Sequence, residues 1–237
     1  ENVLPNSLHT LNFYSYFNQE IKENVLPDLL HTLTFEYNYN KEIKENVLPI
    51  SLHTITFGYN FNQKIKTNVL PNSLHTLTFI DDSRFNQEIK ENVLPNSLHT
   101  LTFGDKFNQE IKENVLPNSL HTLIFGCFFN QEIKENVLPN SLHTLSLGWK
   151  FNQVMKENVL PKSVRKISLY SHCNLINNLP LQIEEVCIKF SIHDKHNNEI
   201  NNLPIMLEKI TIEDEIYSKY ITKIPFGCNI VIKDSNE

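Results

Sequence analysis

The sequence predicts a solenoid, in which short strands, one per repeat of about 22 residues, build a parallel β-sheet with an irregular or 3₁₀ outer side and little α-helix. Three observations predict it. Prolines recur at Pro5, Pro27, Pro49, Pro71, Pro95, Pro117, Pro139 and Pro161, in steps of 22 residues apart from one of 24 between Pro71 and Pro95. Each of the first seven opens one phrase, seen best as Pro95-Asn96-Ser97-Leu98-His99-Thr100-Leu101-Thr102-Phe103. A second phrase, Phe107-Asn108-Gln109-Glu110-Ile111-Lys112-Glu113-Asn114-Val115-Leu116, leads to the next proline.

The elements follow in chain order. Proline lacks an N–H and fixes φ, so it suits the turn before a strand. Leu98-x-x-Leu101-x-Phe103 ends in a period-2 alternation, which reads as a strand of about three to five residues. Thr and Phe fit its half-buried, pleated surface. The Asn-rich second half is too short and too interrupted for a long helix. One repeat carries roughly seven apolar side chains that it cannot bury alone. Stacking places Leu on Leu and Phe on Phe, at roughly 1.5–3 kcal/mol per large side chain buried. Some ten strands about 4.8 Å apart would make a sheet roughly 45–50 Å long.

Residues 1–237 read as a single solenoid, with seven regular repeats over 1–160 and degenerate repeats and a C-terminal cap over 161–237. Pro161 leads into Val164, Ile167 and Leu169; Pro180 into Ile183, Val186 and Ile188; Pro204 into Leu207, Ile210 and Ile212. The apolar spacing persists while His, Thr and Phe are replaced. The tail from Ile224 to Ile232 reads as a last, broken copy, as terminal repeats often are.

Composition narrows the partners. The formal net charge is −6 and no basic run stands out, so a nucleic-acid partner is not expected. No apolar stretch approaches the roughly 20 residues of a membrane span. Glu1-Asn2-Val3-Leu4-Pro5 has neither region of a signal peptide. The chain begins in mid-repeat without Met, so an upstream part is expected. Cys127, Cys173, Cys187 and Cys228 show no CxxC spacing, and no Asn-x-Ser/Thr sequon occurs. Both features point to reduced thiols and an intracellular setting.

The Leu-x-x-Leu-x-Phe phrase resembles the strand half of a leucine-rich repeat. The full unit, Phe-Asn-Gln-x-Ile followed by Leu-Pro-x-Ser-Leu, resembles the FNIP repeat, a leucine-rich-repeat relative found mainly in slime moulds and amoeba-infecting giant viruses. The match covers essentially Glu1 to Pro161, with fading copies to about Ile212. It departs from the family phrase in carrying Glu before Ile. The resemblance implies a recognition array, in some members joined to an F-box that recruits a ubiquitin-ligase core. No F-box is visible in these residues, so that role is an analogy with the repeat array alone.

Several constellations carry chemistry. His9, His31, His53, His75, His99, His121 and His143 form a ladder with a predicted spacing of about 4.8 Å. It admits a metal-binding or pH-sensing stripe and a structural column. A zinc site needs converging ligands and a straight column gives parallel ones, so the structural reading is favoured and no metal is expected. Asn18, Asn40, Asn62, Asn86, Asn108, Asn130 and Asn152 should bond backbone groups at the bend after each strand. His193-x-x-His196 has metal-like spacing, but one His stands where a regular repeat has Phe. The repeated Glu-Ile-Lys-Glu carboxylates read as a solvated face. No P-loop, GxGxxG, HExxH or GxSxG occurs.

The repeats stop agreeing just after each strand. There stand Tyr14, Tyr16, Tyr37, Tyr59, Asp81, Asp82, Arg84, Asp105, Lys106, Phe128, Trp149 and Lys150. Positions that repeat serve the common fold, whereas positions that differ are free to serve a partner. Tyr, Trp and Arg are enriched at binding hot spots. The alternative is drift in a tolerant loop. The reading is therefore a protein-binding scaffold without cofactor or catalytic role. Its rival is a structural or assembly protein, such as a virion component.

Overall fold

The computed structural model describes residues 4–156, 158–190 and 199–233. Within them eleven strands form one parallel sheet in strict chain order. They are β1 (Thr10–Phe13), β2 (Thr32–Phe35), β3 (Thr54–Phe57), β4 (Thr76–Phe79), β5 (Thr100–Thr102), β6 (Thr122–Ile124), β7 (Thr144–Ser146), β8 (Lys166–Tyr170), β9 (Glu185–Lys189), β10 (Lys209–Ile212) and β11 (Asn229–Ile232). The broken tail copy supplies β11 and brings the sheet to one strand more than the ten expected.

Register places like on like. Thr32 faces Thr54, Leu33 faces Ile55 and Phe35 faces Phe57. The 24-residue step does not disturb this, because Thr76 still pairs with Thr100 and Leu77 with Leu101. The two extra residues are taken up after β4, where the Ser83 N–H donates to the Ile80 carbonyl at 2.9 Å. The buried Ser83 hydroxyl donates to the Gly58 carbonyl at 3.3 Å.

The core is a set of stacked columns. In one middle repeat Leu98, Leu101, Phe103, Phe107, Ile111, Val115 and Leu116 are all buried. The Phe103 ring stacks on Phe107 at 3.8 Å and on Phe125 of the next repeat at 5.6 Å. Leu30, Leu52, Leu74, Leu98, Leu120 and Leu142 form one fully buried column. Leu8, at its N-terminal end with a neighbouring strand on one side, is half-buried.

Polar ladders hold the turns. The Asn86 Oδ1 accepts from the Asn108 N–H at 2.9 Å and from Gln109 Nε2 at 3.1 Å, and the pattern recurs along the column. Two further ladders escaped the sequence reading. From Ser51 to Ser163, the serine of each Pro-x-Ser donates to a leucine carbonyl one repeat back, as Ser97 does to Leu74 at 2.7 Å. The asparagine of each Glu-Asn-Val, from Asn24 to Asn136, has φ between 60° and 63° (Asn68, of Thr67-Asn68-Val69, included). Asn visits this left-handed region more readily than other side chains, so one residue can turn the chain back toward the proline.

The degenerate repeats keep the frame and change its filling. Buried Cys173 stands where the regular repeats have the second Phe, and the 3₁₀ segment Asn174–Asn178 folds Leu175 and Ile176 into the core. A second 3₁₀ segment, Glu215–Tyr220, brings Tyr217 onto Phe190 at 4.4 Å. The segment holding His193 and His196 lies outside the described residues.

Candidate binding surface

The segment after each strand forms a rim along one edge of the sheet. Glycine opens it in four repeats because the chain there crosses the preceding repeat closely. A Cβ on Gly58 would stand 1.4 Å from the Glu36 carbonyl oxygen, and one on Gly126 would stand 2.4 Å from the Gly104 carbonyl carbon. A side chain is therefore excluded at these four positions, and the side chains beyond them differ from repeat to repeat.

Those side chains pair aromatic rings with cations. Tyr37 stacks on Tyr59 at 4.7 Å. The Arg84 guanidinium lies 4.7 Å from the centre of the Tyr59 ring, and its Nη2 donates to the Tyr59 hydroxyl at 3.2 Å. Lys106 covers Phe128 at 4.3 Å, and Lys150 covers Trp149 at 4.1 Å. Such pairs contribute about 0.5–1 kcal/mol at exposed sites. The Asp105 Oδ1 accepts from the Cys127 N–H at 3.0 Å. Burial first, and the Asp105 charge second, push the Cys127 thiol up, which disfavours the reactive thiolate.

The twelve predicted residues are not equivalent. Tyr37, Tyr59, Arg84, Lys106, Phe128, Trp149 and Lys150 are drawn into ring and cation contacts along the rim. Tyr14 and Tyr16 stand exposed near the N-terminal edge, at 72% and 94%. Asp81 and Asp82 are exposed on the two-residue insertion. Trp149 is partly structural, since its indole N–H is buried without a partner and its carbonyl lies 2.7 Å from His172 Nε2. Tyr170, with Lys189 at 5.8 Å from its ring centre, carries the rim into the degenerate half. The sequence reading missed this pair, although both residues stand at the same offset from their prolines and close their strands, where four regular repeats have glycine.

The histidine column lies at the opposite end of the strands. Its ring centres are 5.0, 5.1, 5.2, 5.1, 5.2 and 5.3 Å apart from His9 to His143. The rings are exposed or half-exposed. A repeated backbone joint turns them outward: the N–H groups of His99 and Thr100 both donate to the His75 carbonyl, at 2.9 and 3.0 Å. Two consecutive residues thus oppose one, as in a β-bulge, and both face away from the core. Among the described residues no group of three or more His, Cys, Asp or Glu is gathered for a metal.

On the outer side, Lys44, Lys66, Lys112 and Lys134 reach back to Glu20, Glu42, Glu88 and Glu110 of the preceding repeats at 2.5–2.6 Å. The Lys112 hydrogen bond and charge hold the Glu88 carboxyl below its ordinary range. No helix among the described residues is long and apolar enough to cross a membrane.

Comparison with known proteins agrees with this geometry. The crystal structure of CroV588, a giant-virus protein described as a novel circular LRR protein structure, is 46% identical to this chain, with a TM-score of 0.81. The similarity covers 98% of this chain and 34% of that one, so this chain spans about a third of its length. The pneumococcal vaccine antigen PcpA is 14% identical over 97% of this chain and 78% of that one; at a TM-score of 0.24 it carries no structural argument. No match is found among the curated proteins. The family model for the FNIP Repeat matches residues 1–38, 39–82, 85–128 and 129–172, and with them most of the leucine-rich-repeat-like array: the chain belongs to the FNIP repeat family.

Proposed function

We propose that the chain is a scaffold that binds a protein partner along the rim. The observation that carries this is the line of aromatic–cation pairs, Tyr59 with Arg84, Phe128 with Lys106 and Trp149 with Lys150, each differently composed and held on a sheet whose register does not vary. Rigid aromatic anchors with seated cations are the chemistry of interface hot spots. The net charge of −6 supports a protein rather than a nucleic-acid partner. Carboxylates and imidazoles occur one set per repeat rather than in one cleft, which supports a non-catalytic role. The four free cysteines support a reducing, intracellular setting. Substrate recognition for a ubiquitin ligase is the finer form of the reading, supported by the family resemblance alone.

The test is capture of a partner from lysate by wild type and by a Tyr37→Ala, Tyr59→Ala, Phe128→Ala variant, with thermal melts run in parallel. The expected result is a partner band lost from the variant at nearly unchanged melting temperature. Equal capture by both proteins would remove the rim from the binding surface.

A further inference from the structure

We propose that the histidine column binds divalent transition-metal ions of the imidazole-seeking class (Zn²⁺, Ni²⁺, Cu²⁺), each ion bridging two adjacent rings and no ring serving two ions. Imidazole is the commonest protein ligand for such ions. Metal–nitrogen bonds of about 2.0–2.1 Å set two nitrogens on one ion about 3–4 Å apart. Rings centred 5.0–5.3 Å apart reach that separation by side-chain rotation alone. The column is also free to rotate, because its rings are exposed or half-exposed. Among the described residues the one hydrogen bond to a ring of the column is that of His143, whose Nδ1 lies 2.5 Å from the Ser141 carbonyl oxygen.

The fold itself does not call for imidazole. The joint that turns each His outward persists where the side chain changes: Arg165 and Lys166 donate to the His143 carbonyl, Glu184 and Glu185 to that of Arg165, Glu208 and Lys209 to that of Glu184. The backbone feature that repeats is thus satisfied by His, Arg and Glu alike. A parallel column cannot supply the four converging ligands of a structural zinc site, but a bridging site needs two imidazoles and takes water for the rest. His9 with His31, His53 with His75, and His99 with His121 make three such pairs; the remaining His143 sits beside the cationic Arg165. Each site is of modest affinity, and the column saturates at three ions per chain.

Adjacency is the testable point, since any surface histidine binds metal weakly. Ni²⁺ titration by calorimetry at neutral pH would compare two untagged variants, both in a background where His193 and His196 are Gln. In the first, His31, His75 and His121 become Gln, leaving four column histidines about 10 Å apart with no neighbours. In the second, His9, His31 and His143 become Gln, leaving the contiguous run His53, His75, His99 and His121. The intact column should take up three ions, the contiguous variant two, and the alternating variant should bind at least about tenfold more weakly. Unchanged circular dichroism melts would show that all three proteins are folded. Equal binding by the two variants, or no saturable binding by the intact column, overturns the proposal. Neither result bears on the rim.

Discussion

The regular half, β1 to β7, and the degenerate half, β8 to β11, share a frame but fill it differently. Both use parallel pairing in chain order and, from β2 to β10, the same two-donor joint at the start of the strand; at β11 only the Asn229 N–H reaches the preceding carbonyl, that of Glu208, at 2.9 Å. The regular half fills the core with two stacked phenylalanine columns. The degenerate half uses Ile167, Leu169, Val186, Ile188, Ile210 and Ile212, with an aromatic cluster of Phe190, Tyr217 and Tyr220. The halves also part at the end of the strand. β5 to β7 stop two residues short of a glycine that passes under its neighbour, whereas in β8 and β9 Tyr170 pairs with Lys189 and the ladder runs two residues further. Backbone register tolerates a wide change of side chains provided that the volume inside is kept.

Predictions can break or sharpen this comparison, with unfolding followed in denaturant through Trp149, the single tryptophan. The largest effect is expected from Phe103→Ala, about 3–5 kcal/mol lost, because rings above and below cannot close the void. Ile188→Ala should cost about 2–4 kcal/mol in the aliphatic half. The reverse order would show that the stacked rings are not the stronger core. Gly126→Ala should cost about 1–3 kcal/mol, since its Cβ meets backbone rather than a side chain that can move. Lys189→Gly, at the same offset in β9, should cost less, and equal losses would erase the difference between the strand ends.

Tyr39 takes a phenylalanine place in the regular half with its hydroxyl buried and unpartnered, and burial pushes the phenol far up. Tyr39→Phe should therefore raise stability by about 1 kcal/mol; a loss would show that the hydroxyl has a partner in solution. The smallest effect concerns the outer ladder, interrupted where Lys64 replaces the usual Glu. Lys64→Glu gives Lys90 a carboxylate like those facing its counterparts and should raise Tm by roughly 1 °C at low salt. Glu20, Glu88 and Glu110 have folded pKa values below the ordinary one. Their contribution is thus fully present above about pH 4.3 and is lost as pH falls through the lower folded values. A gain from Lys64→Glu that survives high salt would mean something other than ion pairing.

Much of the frame was legible because its causes are periodic. Leu98, Leu101 and Phe103 announce a strand face by spacing, and recurrence announces the stacking partner. The asparagine ladder was readable for the same reason, as Asn108 needs a donor and the next repeat supplies one. The serine ladder and the left-handed asparagines were equally periodic, yet their roles depend on where the turn places a carbonyl, which spacing does not encode. The rim was legible as a zone of disagreement. Its pairings were not, because Arg84 reaches Tyr59 through a two-residue insertion and Trp149 turns its N–H inward.

That insertion between β4 and β5 has a consequence for how such arrays change over generations. The sheet resumes its register after it, so a rim segment can lengthen without its neighbours adjusting. Near-identical units also offer many equivalent crossover points to recombination. Unequal exchange would add or delete whole repeats, each arriving with its own rim segment, and every product would still meet its neighbours through the same joint. Length and surface pattern can therefore be reshuffled together in a single event, while the conditions for folding are inherited unchanged.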